Sequence, residues 1–181
     1  MDPKEQKQIK NTEFNWPTSI EIKSKNYLVN LKTFVVDDAP EIFSLINRNR
    51  EHLSQFGDET SHKYPNLESV VSNITNPKKP TRRRFAIRNQ NKELVGSINI
   101  TPDVGDPTSA EIGYYLGSEY TGKGYMSESV KTLTDYAFNN LGCKRIYGKV
   151  VIGNTASSNV FKKCGFIETD RNEKEIIFSK K

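Results

Sequence analysis

Apolar positions start to recur near residue 20. Ile20, Ile22, Leu28, Val29, Leu31, Phe34 and Val36 form two partly alternating stretches separated by residues 23–26, the pattern of a first β-hairpin. At Asp38 the period changes. Asp38 as N-cap, Glu41 three residues on and Pro40 in the first turn open a helix, and Ile42, Phe43, Leu45 and Ile46 give it one apolar stripe. That helix is predicted to run to about Arg50, and residues 51–65, with Phe56, Gly57, Tyr64 and Pro65, read as a loop. Asn66 then caps a short helix through Val70, Val71 and Ile74, ending near Pro77. Three strand-like segments follow at 83–88, 94–100 and 110–116, joined by turns at 89–92 and 102–107, and together they predict an antiparallel meander.

The second half is more strongly punctuated. Gly122 to Gly124 open a long helix with Val130, Leu133, Ala137 and Leu141 on one face and Gly142 as its stop. A buried strand at 145–151, a turn at Gly153, a helix at 154–164 capped by Gly165, and strands around Phe166 and at 176–178 complete the chain. The fold class this predicts is α/β, with one mostly antiparallel sheet and no repeats. Residues 1–18 are polar and aperiodic and read as a loosely held arm, with Phe14 and Trp16 as anchors onto a domain spanning 19–181.

Composition narrows the class. A chain of 181 residues, 34% hydrophobic and 27% charged, suits one domain with a real core. The longest apolar runs, such as 34–36 and 114–116, are far short of a membrane span, and the first twenty residues hold no secretory signal pattern, so a cytoplasmic protein without membrane contact is expected. Net charge is +5, and the densest basic run is Lys78, Lys79, Arg82, Arg83 and Arg84. That run reads as a solvated loop and strand edge, with contact to RNA or an acidic protein surface as the alternative. Cys143 and Cys164, 21 residues apart, read as packed free thiols. Neither His52 nor His62 lies in a metal-ligand pattern, so no metal is expected, and both read as surface or loop residues.

Candidate chemistry concentrates at 121–127, between a strand and a helix. Alternate glycines let a backbone approach a ligand closely, and a helix start offers unpaired N–H groups at its positive end, which suits an anion such as a pyrophosphate. A plain strand-to-helix connection is the alternative. Residues 117–123 match the phosphate-binding P-loop pattern, but its eighth position is Gly124 where magnesium binding needs Ser or Thr. The dinucleotide pattern fails as well, with Ser127 in place of a third glycine or alanine.

A second segment, 154–166 (NTASSNVFKKCGF), taken with 110–116 (AEIGYYL), the glycine turn and 46–53 (INRNREHL), resembles the GNAT superfamily of acetyl-CoA-dependent N-acetyltransferases. The branch it is most similar to holds the Rim-type ribosomal-protein N-terminal acetyltransferases. The resemblance implies a single-domain GNAT-like fold with helices on both faces of the sheet, and acetyl-CoA as cosubstrate. It implies that backbone amides of Gly122, Lys123, Gly124 and Tyr125 hold the pyrophosphate, with Thr121, Met126 and Ser127 in the same turn. Tyr115 and Leu116 would lie along pantetheine, Asn154 would bind it, Ser157 would sit near the sulfur, and Phe161 would flank the coenzyme. Asn154 and Ser157 equally make an ordinary helix start. Three positions depart from the pattern. Thr121 stands where Gln, Arg or Trp is frequent. Met126 replaces a small residue and is expected to narrow the approach to the pyrophosphate. Phe161 replaces a tyrosine acid and cannot donate a proton.

The reaction implied is attack of a neutral amine on the acetyl carbonyl. An α-amine, with a pKa of about 7.7–8.0, is partly neutral at pH 7, whereas a lysine amine near 10.4 is not, so an N-terminal acceptor tolerates a weak base. Glu111 is the first candidate base, with Glu173 and Glu175 as rivals, and Ser157 is the candidate proton donor. The acceptor expected is a protein N-terminus such as that of a ribosomal protein. A polyamine or aminoglycoside is the second reading, and a noncatalytic RNA- or ribosome-binding module the third. The resemblance leaves room for ribosome association and for a homodimer.

Overall fold

The computed structural model describes residues 16–57 and 59–181. Strands β1 (Glu21–Lys23) and β2 (Val29–Thr33) form the first hairpin. Helices α1 (Ala39–Arg48), α2 (Arg50–Ser54), α3 (Thr60–Lys63) and α4 (Leu67–Thr75) follow. Then come β3 (Arg83–Asn89), β4 (Leu94–Asp103), β5 (Asp106–Leu116), α5 (Tyr125–Asn140), β6 (Arg145–Val151), α6 (Thr155–Lys163), β7 (Ile167–Arg171) and β8 (Glu175–Lys180). The strands make one sheet in the order β1-β2-β3-β4-β5-β6-β8-β7, and every adjacent pair is antiparallel except β5–β6.

Period-two alternation in the strands assigns side chains to two cores. Phe85, Ile87, Ile98, Ile100 and Ile112 face α5 and α6, where Met126, Val130, Leu133, Ala137 and Phe161 meet them. Ala86 and Leu94 face the other way, against Ile42, Leu45 and Ile46 of α1, Leu53 of α2 and Val70 of α4. Helices therefore cover both faces. Among the described residues no helix is long and apolar enough to cross a membrane.

Several elements differ from the sequence pattern, each for a local reason. Asp38 does not cap α1 with its side chain. Its carboxylate accepts the Val35 N–H (2.9 Å) and pairs with Arg88 (2.8 Å), fastening the turn before the helix to β3. The first helix stops at Arg48 because Asn49 leaves helical geometry, and the expected loop at 51–65 holds α2 and α3. Their side chains meet: Ser54 Oγ lies 2.7 Å from Ser61 Oγ, and the Arg50 guanidinium donates to the carbonyls of Ser61 and Tyr64. Residues 102–107, expected as a loop, are mostly strand, with only Val104 and Gly105 at the tip.

Lys78 and Lys79 of the basic run are exposed in the loop before β3, as expected, but its arginines are not at a sheet edge: β3 lies between β2 and β4, and Arg82, Arg83 and Arg84 are engaged internally. Arg82 donates to Thr101 Oγ1 (2.8 Å), Arg83 to the carbonyls of Trp16 (2.9 Å) and Pro17 (2.7 Å), and Arg84 to Asn73 and the Tyr64 hydroxyl. Trp16, assigned to the arm, is buried in the domain and donates from Nε1 to the Leu141 carbonyl at 3.1 Å. Phe14 lies outside the described residues.

Phe161 is the pivot of the α6 packing. It is 2% exposed, stacks on Phe178 at 5.8 Å and meets Phe166 edge-on at 5.0 Å. Gly148 of β6 makes room for it, since a Cβ there would sit 2.1 Å from Phe161 Cζ. Gly148→Ala should therefore cost about 1–3 kcal/mol by overpacking. Urea denaturation of the variant checks this; a midpoint equal to wild type would show that the ring can yield.

Candidate active site

The pairing of β5 with β6 is short. It consists of Ser109 with Arg145, Ala110 with Ile146 and Glu111 with Tyr147, so β6 provides no partner for the last five residues of β5. A cavity of about 670 Å³ opens there. It is lined from α5 and α6 on one face of the sheet and by His52, Leu53, Gln55 and Phe56 from α2 and its C-terminal turn on the other. The strands thus part where a ligand can pass from one face to the other.

The α5 side has the features of an anion cradle. Gly122 (φ +75°) and Gly124 (φ +84°) are both left-handed, and a Cβ at Gly122 would meet nothing within 4 Å, so the turn presents bare backbone to open space. Gly124 is the N-cap of a 16-residue helix and supplies no side-chain cap. The first-turn N–H groups of α5 accordingly point outward at the positive end of the dipole. Thr121, Gly122, Gly124, Tyr125, Met126 and Ser127 all line the cavity. Lys123 does not. Its ammonium lies 5.6 Å from the centre of the Tyr120 ring.

Met126 is buried in the core with Val130 and Leu133 and still borders the cavity. One expectation about this region is corrected. Phe161 does not flank the cleft; its ring is enclosed by Phe166, Phe178 and Tyr114, and its neighbour Val160 lines the wall instead.

On the remaining wall, Tyr114, Tyr115 and Leu116 come from β5, and Gly153, Asn154 and Ser157 from the start of α6. Asn154 caps that helix, its Oδ1 accepting the Ser157 N–H at 3.0 Å, so the helix-start reading holds while the residue also faces the cleft. Tyr114, which the sequence did not single out, donates its hydroxyl to the Ser157 carbonyl at 3.3 Å. Burial pushes its titration far above the ordinary phenol range.

The candidate bases are not in the cleft. Glu111 sits at the last β5–β6 pair, half-exposed, with its carboxylate 3.5 Å from Lys149 Nζ. Glu173 is exposed in the β7–β8 hairpin and Glu175 begins β8; neither lines the cavity. His62 on α3 is exposed and also away from the cavity, whereas His52 is on its wall. Cys143 and Cys164 are buried free thiols; burial raises Cys143 to about 11. Among the described residues no cluster of His, Cys, Asp or Glu could hold a metal ion.

A hydrogen-bonded joint ties the two walls together. Asn49, 3% exposed, donates from Nδ2 to the Leu45 carbonyl (3.0 Å) and Glu119 Oε2 (3.1 Å), while its Oδ1 accepts from Ser118 N–H (2.9 Å) and Ser118 Oγ (2.8 Å). Every hydrogen-bonding valence of the amide is used. Arg48 Nε completes the joint at 2.7 Å from Glu119 Oε1. The break between α1 and α2 is thereby fastened to the segment entering the glycine turn.

The glycine-turn cradle and the parted β5–β6 pair border one cleft, an arrangement suited to an extended ligand that carries an anionic group. Residues 29–167 match the family model described as an acetyltransferase (GNAT) domain, and the chain belongs to that family, with acetyl-CoA as its acetyl donor. It is 30% identical over 148 residues to the Probable N-acetyltransferase YjcK of Bacillus subtilis, covering 78% of this chain and 82% of that one. It is 26% identical to the spermidine N(1)-acetyltransferase of Vibrio cholerae over 74% of this chain and 76% of the other. The ribosomal-protein-S5-alanine acetyltransferase from Vibrio fischeri superposes with a TM-score of 0.76 at 23% identity, over 91% and 96% of the two chains.

Burial opposes charge on Glu119, but the hydrogen bonds from Arg48 and Asn49 outweigh it and hold the carboxyl below its ordinary range. A depressed folded-state value stabilises the fold above the unfolded pKa, about 4.3, and that contribution is lost as pH falls through the folded-state value. The stability gap between wild type and Glu119→Gln should therefore be full near pH 6 and shrink toward pH 3. Urea titrations across that range measure it, and a gap independent of pH would contradict the assignment.

Proposed function

We propose that this acetyltransferase modifies the N-terminal α-amine of a protein, with ribosomal proteins as the class of acceptor. The observation that carries the reading is the wall on the α2 side. Among the described residues it consists of His52, Leu53, Gln55 and Phe56, with no carboxylate anywhere on the cavity lining. A polyamine brings two or more ammonium groups that need anionic partners when desolvated. A single α-amine, partly neutral near pH 7, needs none. The spermidine-acetylating relative favours the small-molecule alternative, and ribosomal-protein acetylation by the Vibrio fischeri structural neighbour accords with the protein acceptor.

In this reading, the backbone amides from Gly122 to Ser127 hold the pyrophosphate and Tyr115 and Leu116 run beside pantetheine. Asn154 offers its amide from the N-cap of α6, and Ser157 lies near the thioester sulfur. The parted strand β5 supplies backbone donors toward the acyl oxygen, so positioning and oxyanion stabilisation carry much of the rate.

Two measurements test it. Gly124→Val forces a branched residue into a left-handed position and crowds the cradle; coenzyme A affinity should fall by about tenfold or more in calorimetry with the circular dichroism retained. Unchanged affinity would remove the turn from the coenzyme site. In an acceptor panel near pH 7, peptides with a free N-terminal alanine or serine should exceed spermidine and an Nα-blocked lysine peptide by on the order of 10² in kcat/KM, following the neutral fraction. Preference for spermidine would overturn the protein-acceptor reading.

A further inference from the structure

We propose that His52 is the general base of the acetyl transfer, taking the proton from the attacking amine. The inference rests on the family's amine-acetylating reaction and on no particular acceptor.

Titratable side chains on the cavity wall are His52, Tyr114, Tyr115, Tyr125 and Lys163. Phenols and an ammonium hold their protons near neutral pH by ordinary chemistry, while imidazole is the side chain that ordinarily titrates there. Burial raises the Tyr114 phenol further, so it stays protonated. Among the described residues no carboxylate lines the cavity: Glu51, beside His52 on α2, is exposed outside it, Glu111 pairs with Lys149, and Glu119 with Arg48 and Asn49.

Position favours His52 as well. The cradle at α5 lies on one face of the sheet, and α2 packs on the other. An acceptor that does not displace the coenzyme must enter from the α2 face, where His52 stands. The helix that carries it is held at both ends. Leu53 N–H donates to the Asn49 carbonyl (2.9 Å), Asn49 is fixed by Ser118 and Glu119, and Arg50 and Ser54 bind α3. The anchored helix fixes the backbone that presents His52 at the cavity wall. The charged and titratable groups around it are Arg48, Arg50 and Glu51 on its own side, His62 and the Lys63–Glu59 pair on the neighbouring α3 segment, Glu119 beyond the joint and Lys163 across the cavity.

The step balances. The amine nitrogen bonds to the acyl carbon, the carbon–sulfur bond breaks and its electron pair goes to sulfur. The nitrogen's surplus proton passes to the neutral imidazole. The imidazolium then passes that proton, directly or through a bridging water, to the thiolate, which gives the amide and coenzyme A and restores the base.

Only two histidines occur in the chain, which permits a clean experiment. Diethyl pyrocarbonate labelling, read by peptide mass spectrometry with and without acetyl-CoA, should show His52 protected about fivefold or more and His62 unprotected. Turnover is then measured with whichever of an alanine-initiated peptide and spermidine the enzyme accepts, so a failed acceptor assignment stays separate from a failed base. His52→Gln should lower kcat by about 10² to 10⁴ and remove the acidic limb of the pH profile, with coenzyme A affinity unchanged. In His52→Ala, added imidazole should restore part of the rate, as a purely structural role would not. Equal labelling of His52 with and without acetyl-CoA, or a His52→Gln rate within threefold of wild type, overturns the proposal. If neither amine is turned over, equal labelling of His52 still overturns the proposal, and the first amine the enzyme does acetylate replaces them in the rate measurement.

Discussion

The short register between β5 and β6 is the constraint on which the site depends. A parallel pair carried along all of β5 would satisfy its backbone groups and close the sheet. Here the pairing ends at Glu111 with Tyr147, and the next five residues of β5 border a gap. Backbone donors and acceptors turned toward a gap must be met by water or by a ligand. The parting therefore provides both the passage through the sheet and the polar edge that a thioester can use, and the glycine turn lies immediately downstream.

Keeping that gap open requires firm packing on each side of it. On one side, α6 is anchored by Phe161 through an aromatic stack that reaches β6 and β8 and leaves no room for a side chain at Gly148. On the other, Asn49 and Glu119 tie the α1–α2 break to the start of the glycine turn. Gly117 is bare for a similar reason, since a Cβ there would sit 2.8 Å from Glu119 Oε2 and 2.9 Å from Leu45 Cδ1. The α5–α6 wall and the α2 wall of the cleft are thus held in one frame.

Much of this was written locally in the chain. The strands of the meander, the N-cap of α4 at Asn66, the apolar face of α5, its glycine entry and the extent of β6 follow from periodicity, capping residues and punctuation by glycine, all of which act over a few residues. The resemblance of the glycine turn and the 154–166 segment to an acetyltransferase family was borne out by membership of that family. What escaped was non-local. The break at Asn49 depends on Ser118 and Glu119, about 70 residues away, and the basic run was absorbed because Arg83 and Arg84 found carbonyl and amide partners that only the fold brings near.

The sequence by itself determined the strand order, the flanking helices other than α2 and α3, the glycine entry to α5 and the family, because backbone geometry, hydrophobic period and local motifs are short-range properties. Tertiary structure alone decided which side chains share the cleft. It removed Glu111 from the cavity by placing it at the last β5–β6 pair, beside Lys149. It turned Phe161 into a core residue, because the helix face that carries it looks inward to the sheet. It brought His52 to the wall opposite α5, because a side chain's neighbours across a sheet are fixed by the packing of distant elements, and no short stretch of sequence encodes them.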